Sequence, residues 1–141
     1  MFYMASTKIP CEQTAGEIQA LLGKSGARQV LTEYENGEVM AISFMIENGG
    51  KQIPFRLPLR WEACLEAMKR DRQTANHLCN EVQAKRTAWR IILRWVQAQF
   101  ALIETGMVTL TEVMLPYLQV DAKATLYEKM IDNQFKLLPA K

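Results

Sequence analysis

"RQVLTEYENGEVMAISFMIENGGKQIPFRLPLR", Arg28 to Arg60, holds three runs rich in strand-forming residues separated by two turn signals. Asn36-Gly37 supplies the positive backbone φ angles that a tight two-residue hairpin requires, and a second turn falls at Asn48-Gly49-Gly50. In the middle run, Val39 to Ile46, side-chain alternation sends Met40, Ile42, Phe44 and Ile46 to one face and Val39, Ala41, Ser43 and Met45 to the other. In the third run, Lys51 to Arg60, Ile53, Phe55, Leu57 and Leu59 share a face opposite Gln52, Pro54, Arg56 and Pro58. Neither proline can donate a ladder hydrogen bond, so this strand belongs at a sheet edge or pairs on one side only. The stretch predicts a three-stranded antiparallel meander.

Helical patterns lie on both sides of it. Upstream, Thr7 to Pro10 reads as an extended lead-in, and Cys11 to Leu22 places Ala15, Ile18, Leu21 and Leu22 on one helical stripe that ends near Gly23 to Gly26. Downstream, Trp61 to Arg72 is amphipathic, with Trp61, Cys64, Leu65 and Met68 on one side. No glycine or proline interrupts Ala75 to Thr105, and Gly106 offers a stop, which allows a helix of up to about thirty residues. Whether it runs unbroken through Asn76 to Asn80 is open. A shorter helix over Thr109 to Leu118 is disturbed by Pro116, and Thr125 with Glu128 forms a capping-box pattern for a last helix reaching about Phe135. The expected fold is α+β, one domain over residues 1–141: an N-terminal helix, the meander, then a helical region around one long central helix.

The 141 residues, 49% hydrophobic and 23% charged, match ordinary globular composition and exclude a disordered chain. The most apolar stretch, Ala88 to Ile103, carries Arg90, Arg94, Gln97 and Gln99, which rules it out as a membrane span. The first eight residues lack the pattern of a secretory signal, and three widely spaced cysteines (Cys11, Cys64, Cys79) read as free thiols; both point to a cytoplasmic protein. The net charge of +2 hides a partition. Residues 1–50 hold 3 Lys/Arg against 6 Asp/Glu, residues 51–94 hold 10 against 4, and residues 95–141 hold 4 against 5. The basic middle third is where a polyanionic partner would dock.

Its most informative part is "KRTAWRIILRWVQAQFALIE", Lys85 to Glu104. Arg86, Arg90, Arg94 and Gln97 form a stripe at spacings of four, four and three, while Trp89, Ile92, Val96, Phe100 and Ile103 cover another side. Two readings of the stripe compete. In one, the arginines pair with glutamates of neighbouring helices or of a second subunit. In the other, they hold phosphates, extended by Arg56 and Arg60, with Trp61 as a stacking platform for unpaired bases.

Catalytic and metal patterns are poor. The single histidine, His77, stands two residues before Cys79, the wrong spacing for a helical ligand pair, and no phosphate-cradling glycine loop is present. Glu33, Glu35, Glu38 and Glu47 lie by the hairpin turns, where a solvated edge explains them. No enzyme activity, metal or cofactor is expected.

The segments "SFMIENGGKQIPFRLPLR" (Ser43 to Arg60), "AWRIILRWVQAQFALIETGM" (Ala88 to Met107), "EVMLPYL" (Glu112 to Leu118) and "TLYEKM" (Thr125 to Met130) together resemble a family of small, uncharacterised proteins encoded by bacteriophages and prophages. The resemblance implies expression inside a bacterial host and a gene setting in which small non-catalytic proteins serve DNA replication, recombination or host takeover. It brings no residue role with it. The leading expectation is a non-enzymatic binder of single-stranded DNA or RNA, using Arg56, Arg60, Arg86, Arg90, Arg94 and Trp61, whose affinity falls steeply with salt. The rival is a homo-oligomeric interaction or assembly module, built on the edge strand and apolar helix faces, or an inhibitor of a host enzyme, with no nucleic-acid binding.

Overall fold

Asn36 and Gly37 adopt φ angles of 52° and 79°, the left-handed geometry that closes a tight hairpin, and they join β1 (Gln29–Glu35) to β2 (Glu38–Asn48). β3 (Lys51–Pro58) follows, and the strand order β1-β2-β3 with both pairings antiparallel is the meander that the alternation predicts. The computed structural model describes residues 1–139. β3 is an edge strand, as its prolines require, and its outer side meets one isolated bridge between Phe55 and Leu118. There the carbonyl of Pro54 accepts from the Gln119 N–H at 2.9 Å, which uses the group that proline retains.

One register detail departs from strict alternation. The β1–β2 pairing slips at Glu33/Tyr34, opposite Val39 to Ala41, leaving Met40 as an extra residue. Such a bulge re-aims the side chains beyond it. Val39 therefore joins Ile42 and Phe44 in the core instead of sharing the outward face with Ser43 and Met45.

The inward face of the sheet, with Phe44 and Phe55 stacked at 5.1 Å, is covered by α1 (Cys11–Lys24) and α3 (Glu81–Thr105). Ile18 and Leu22 of α1 and Trp89, Leu93, Val96 and Phe100 of α3 complete the core. Trp89 is fully buried, and its indole N–H donates to the Val39 carbonyl at 3.3 Å, so its one polar atom is satisfied inside the core. α2 (Trp61–Arg70) packs on the outer flank of α3. A second, smaller cluster of Ala5, Met68 and Ala84 ties the N-terminal segment to α2 and the start of α3. There the Gln83 amide donates to the carbonyls of both Ala5 and Thr7, each at 2.7 Å.

The long helix starts later than its freedom from glycine and proline permits. Asn76–Leu78 forms a separate 3-10 turn, and Asn80 caps α3 by accepting the Gln83 N–H at 2.9 Å. A side chain that satisfies an orphan N–H fixes the start of a helix where periodicity alone leaves it open. Gly106, at φ 81°, ends it. Thr109 with Glu112 and Thr125 with Glu128 form the two capping boxes of α4 (Leu110–Met114) and α5 (Leu126–Asp132). α5 stops at Asp132, short of Phe135. The chain turns instead at Gln134 and Phe135, both at positive φ, 54° and 55°.

Because Trp89 is fully buried and joins α3 to the backbone of β2, Trp89→Ala is expected to cost about 3–5 kcal/mol, read as a lowered urea midpoint.

Candidate functional site

The arginine stripe of α3 lies along the seam with α1. Arg90 is 93% buried; its guanidinium donates to Thr14 Oγ1 at 3.3 Å and to Glu17 Oε1 at 3.2 Å. Its Nε is the one buried side-chain nitrogen or oxygen without a hydrogen-bond partner among the described residues. This corrects the reading of Arg90 as a phosphate contact, because its charge is spent on α1. One turn earlier, Arg86 is half-buried beside Cys11, Glu12 and Glu38. One turn later, Arg94 is exposed and donates to Gln97 at 3.1 Å. The stripe is therefore two separated cations with a buried third between them.

Trp61 sits at the start of α2, half-buried, with the Lys85 ammonium 5.0 Å from its ring centroid. Four carboxylates, Glu35, Glu38, Glu62 and Glu81, line the same hollow. Lys85 pairs with Glu38 and with Glu81, and these two hydrogen bonds raise its pKa above the ordinary lysine value. Phosphates approaching that ring would meet the carboxylates first. Arg60, exposed just before α2, lies near Glu128, whose carboxyl is held low chiefly by the Thr125 N–H and hydroxyl and further by Arg60 and Arg56.

Arg56 belongs to a different surface. Register places Gln29, Leu31 and Glu33 of β1, Ser43 and Met45 of β2, and Pro54 and Arg56 of β3 on the face of the sheet turned away from α1 and α3. Arg56 Nε lies 3.0 Å from Glu33 Oε2, and the Ser43 hydroxyl donates to the same oxygen at 2.6 Å. Partial burial works against ionisation of Glu33, but the Ser43 and Arg56 hydrogen bonds outweigh it and keep the carboxyl below its ordinary range. The result is a locally neutral cluster. Around it runs an open groove of about 690 Å³, within the ~300–1,000 Å³ range of binding clefts, where Leu31 is 64% exposed and Met45 and Pro54 add apolar surface. Gln119 forms one rim.

The sequence separates these residues onto one face but does not reveal that α1 and α3 leave it open, with only the loop before α5 and Glu128 reaching its Glu33–Arg56 end. A partial signal is the apolar residues Met45, Pro54 and Pro58 interleaved with Ser43, Gln52 and Arg56 on the outward row of β2 and β3.

The remaining chemistry is sparse. Cys11 and Cys64 are half-buried, and burial raises both thiols above their ordinary pKa, the environment of packing side chains and not of nucleophiles. Among the described residues no three His, Cys, Asp or Glu side chains gather as a metal site, and no helix is long and apolar enough to cross a membrane.

Arg90→Ala is expected to destabilise the fold by about 2 kcal/mol, whereas Arg90→Met, which keeps the packed stem and removes the orphaned Nε, stays within about 1 kcal/mol of the parent in urea melts. Glu33 has a depressed folded pKa, so its contribution is full above the ordinary value of 4.5 and is lost as pH falls through the lower folded value. Its side chain is 36% exposed, and solvent screening keeps the effect below ~1 kcal/mol; Glu33→Gln should remove this acid-range slope from the urea midpoint.

No family model, curated protein or solved structure matches the chain.

Proposed function

We propose that the protein is a non-enzymatic protein-interaction module that seats an apolar polypeptide segment on the open face of its sheet, in the phage or prophage setting implied by the sequence resemblance. The observation that carries this reading is the uncovered groove over Leu31, Met45 and Pro54, whose one ion pair is internally neutralised. A charge-neutral, apolar-lined cleft suits a protein side chain and offers little to a phosphate. Arg90, buried against Glu17, and Trp61, ringed by four carboxylates, weigh against the single-stranded nucleic-acid reading. Of the candidate cations, the exposed Arg60, just before α2, and Arg94, on α3, form no continuous track with the buried Arg90.

Two measurements test the proposal together. Gel shifts with single-stranded DNA at low salt are expected to show no complex. Peptides selected on the purified protein from a display library are expected to be apolar and to lose binding to a Leu31→Glu variant. A salt-sensitive DNA complex abolished by Arg60→Ala/Arg86→Ala/Arg94→Ala, or selected peptides indifferent to Leu31→Glu, overturns it.

A further inference from the structure

The sheet groove does not end at its Glu33–Gln119 rim. The same two residues begin a second hollow of about 280 Å³, completed by Arg56, Lys123, Thr125 and Glu128. Arg56 comes from β3, and Gln119 and Lys123 come from the loop that leads into α5. That loop is held in place. The Gln119 N–H donates to the Pro54 carbonyl at 2.9 Å, and Asp121 accepts the N–H groups of Lys123 and Ala124 at 2.8 and 2.9 Å while pairing with Lys129 at 3.0 Å.

The bonds already made decide what the hollow has left to offer. Both oxygens of Glu33 lie on Arg56 Nε, at 3.2 and 3.0 Å, and one of them also accepts the Ser43 hydroxyl. Glu128 Oε1 accepts the Thr125 N–H at 3.1 Å and the Thr125 hydroxyl at 2.9 Å. The acids are thus engaged by their own neighbours. The donors are not: among the described residues, no acceptor meets the two terminal guanidinium nitrogens of Arg56, the Lys123 ammonium or the Gln119 side-chain amide, and none of these groups is sealed from solvent. Charge points the same way. Arg56, Arg60 and Lys123 bring three cations to the two carboxylates Glu33 and Glu128, while Asp121 and Lys129 cancel, so one positive charge is left over.

We infer that the polypeptide seated in the sheet groove is an acidic-apolar segment, with a short apolar stretch over Leu31, Met45 and Pro54 and an adjoining carboxylate held by the terminal nitrogens of Arg56 and by Lys123. This rests on the reading of the groove as a protein-binding face. The two terminal N–H groups of a guanidinium form a planar fork that matches both oxygens of a carboxylate. Because Nε stays on Glu33, the plane of that fork is set before the partner arrives, which lowers the cost of binding. A surplus of one charge suits a single carboxylate and not a polyanion, whose further charges would face Glu33 and Glu128. An acidic side chain and the free end of a chain both supply that group.

Calorimetric titration of the full-length protein with synthetic peptides, made to sequences selected on it by display, tests this. Each peptide is prepared with an amidated end, with a free carboxylate end, and with its Asp and Glu residues replaced by Asn and Gln. The selected sequences are expected to place Asp or Glu beside the apolar stretch, and affinity is expected to fall about tenfold or more on amide replacement; where the chain end is the source, the free-acid form binds tighter than the amidated form by a similar factor. Lys123→Glu, at an exposed position with no ion pair among the described residues, is expected to weaken the acidic peptides to the same degree with unchanged circular dichroism. Affinity that ignores the carboxylate from both sources, or that Lys123→Glu leaves unchanged, overturns this inference; if such peptides still require Leu31, the protein-binding face stands without the acidic preference. Peptides indifferent to Leu31→Glu overturn both readings.

Discussion

The seating of Trp89 between α3 and the backbone of β2 sets the orientation of everything around it. An indole buried against the sheet, with its N–H on the Val39 carbonyl, leaves α3 no rotational freedom about its own axis. The next residue, about 100° further round the helix, must then face α1. That residue is Arg90, and its burial against Thr14 and Glu17 follows from the position of its neighbour more than from any preference of its own. Arg86 and Arg94, four residues to either side, inherit the same direction and border the seam. A charge pattern that looks like a surface ridge in one dimension is thus the contact line between two helices.

What the sequence disclosed follows the range of the interactions involved. The Asn36-Gly37 hairpin, the Thr125–Glu128 capping box and the edge placement of the proline-bearing strand were all legible, because each depends on residues within a few positions of one another. The inward turn of Val39 was not, because one extra residue, Met40, decides it and nothing in the alternation marks that residue. The burial of Arg90 was not, because it depends on the docking of a helix 73 to 76 residues away in sequence. Of the proposed site residues, Arg56 was rightly placed on the outward face of its strand, but Glu33 as its partner emerges only from strand register.

The basic middle third illustrates the same limit for electrostatics. Its ten cations fall on β3, the short connection to α2, α2, the connection after it and α3, elements that face different directions. Several are tied to carboxylates contributed by other segments: Lys85 to Glu38, Arg56 to Glu33, Arg90 to Glu17. Each of these acids comes from the acidic first fifty residues. The opposite charges of the two segments therefore describe a partial internal complementarity, in which acids of the N-terminal portion pair with three of the ten cations of the middle one.

The double clasp of Gln83 on the carbonyls of Ala5 and Thr7 joins groups 78 and 76 residues apart. During synthesis, the first residues have no docking surface until the start of α3 has left the ribosome and been capped at Asn80. The α1 helix and the hairpin can form locally before then, but Trp89, which completes their core, emerges later still. Vectorial growth therefore confers no early domain here: the N-terminal half waits as loosely packed local structure, and both hydrophobic clusters close in the same interval, once α3 becomes available to join them.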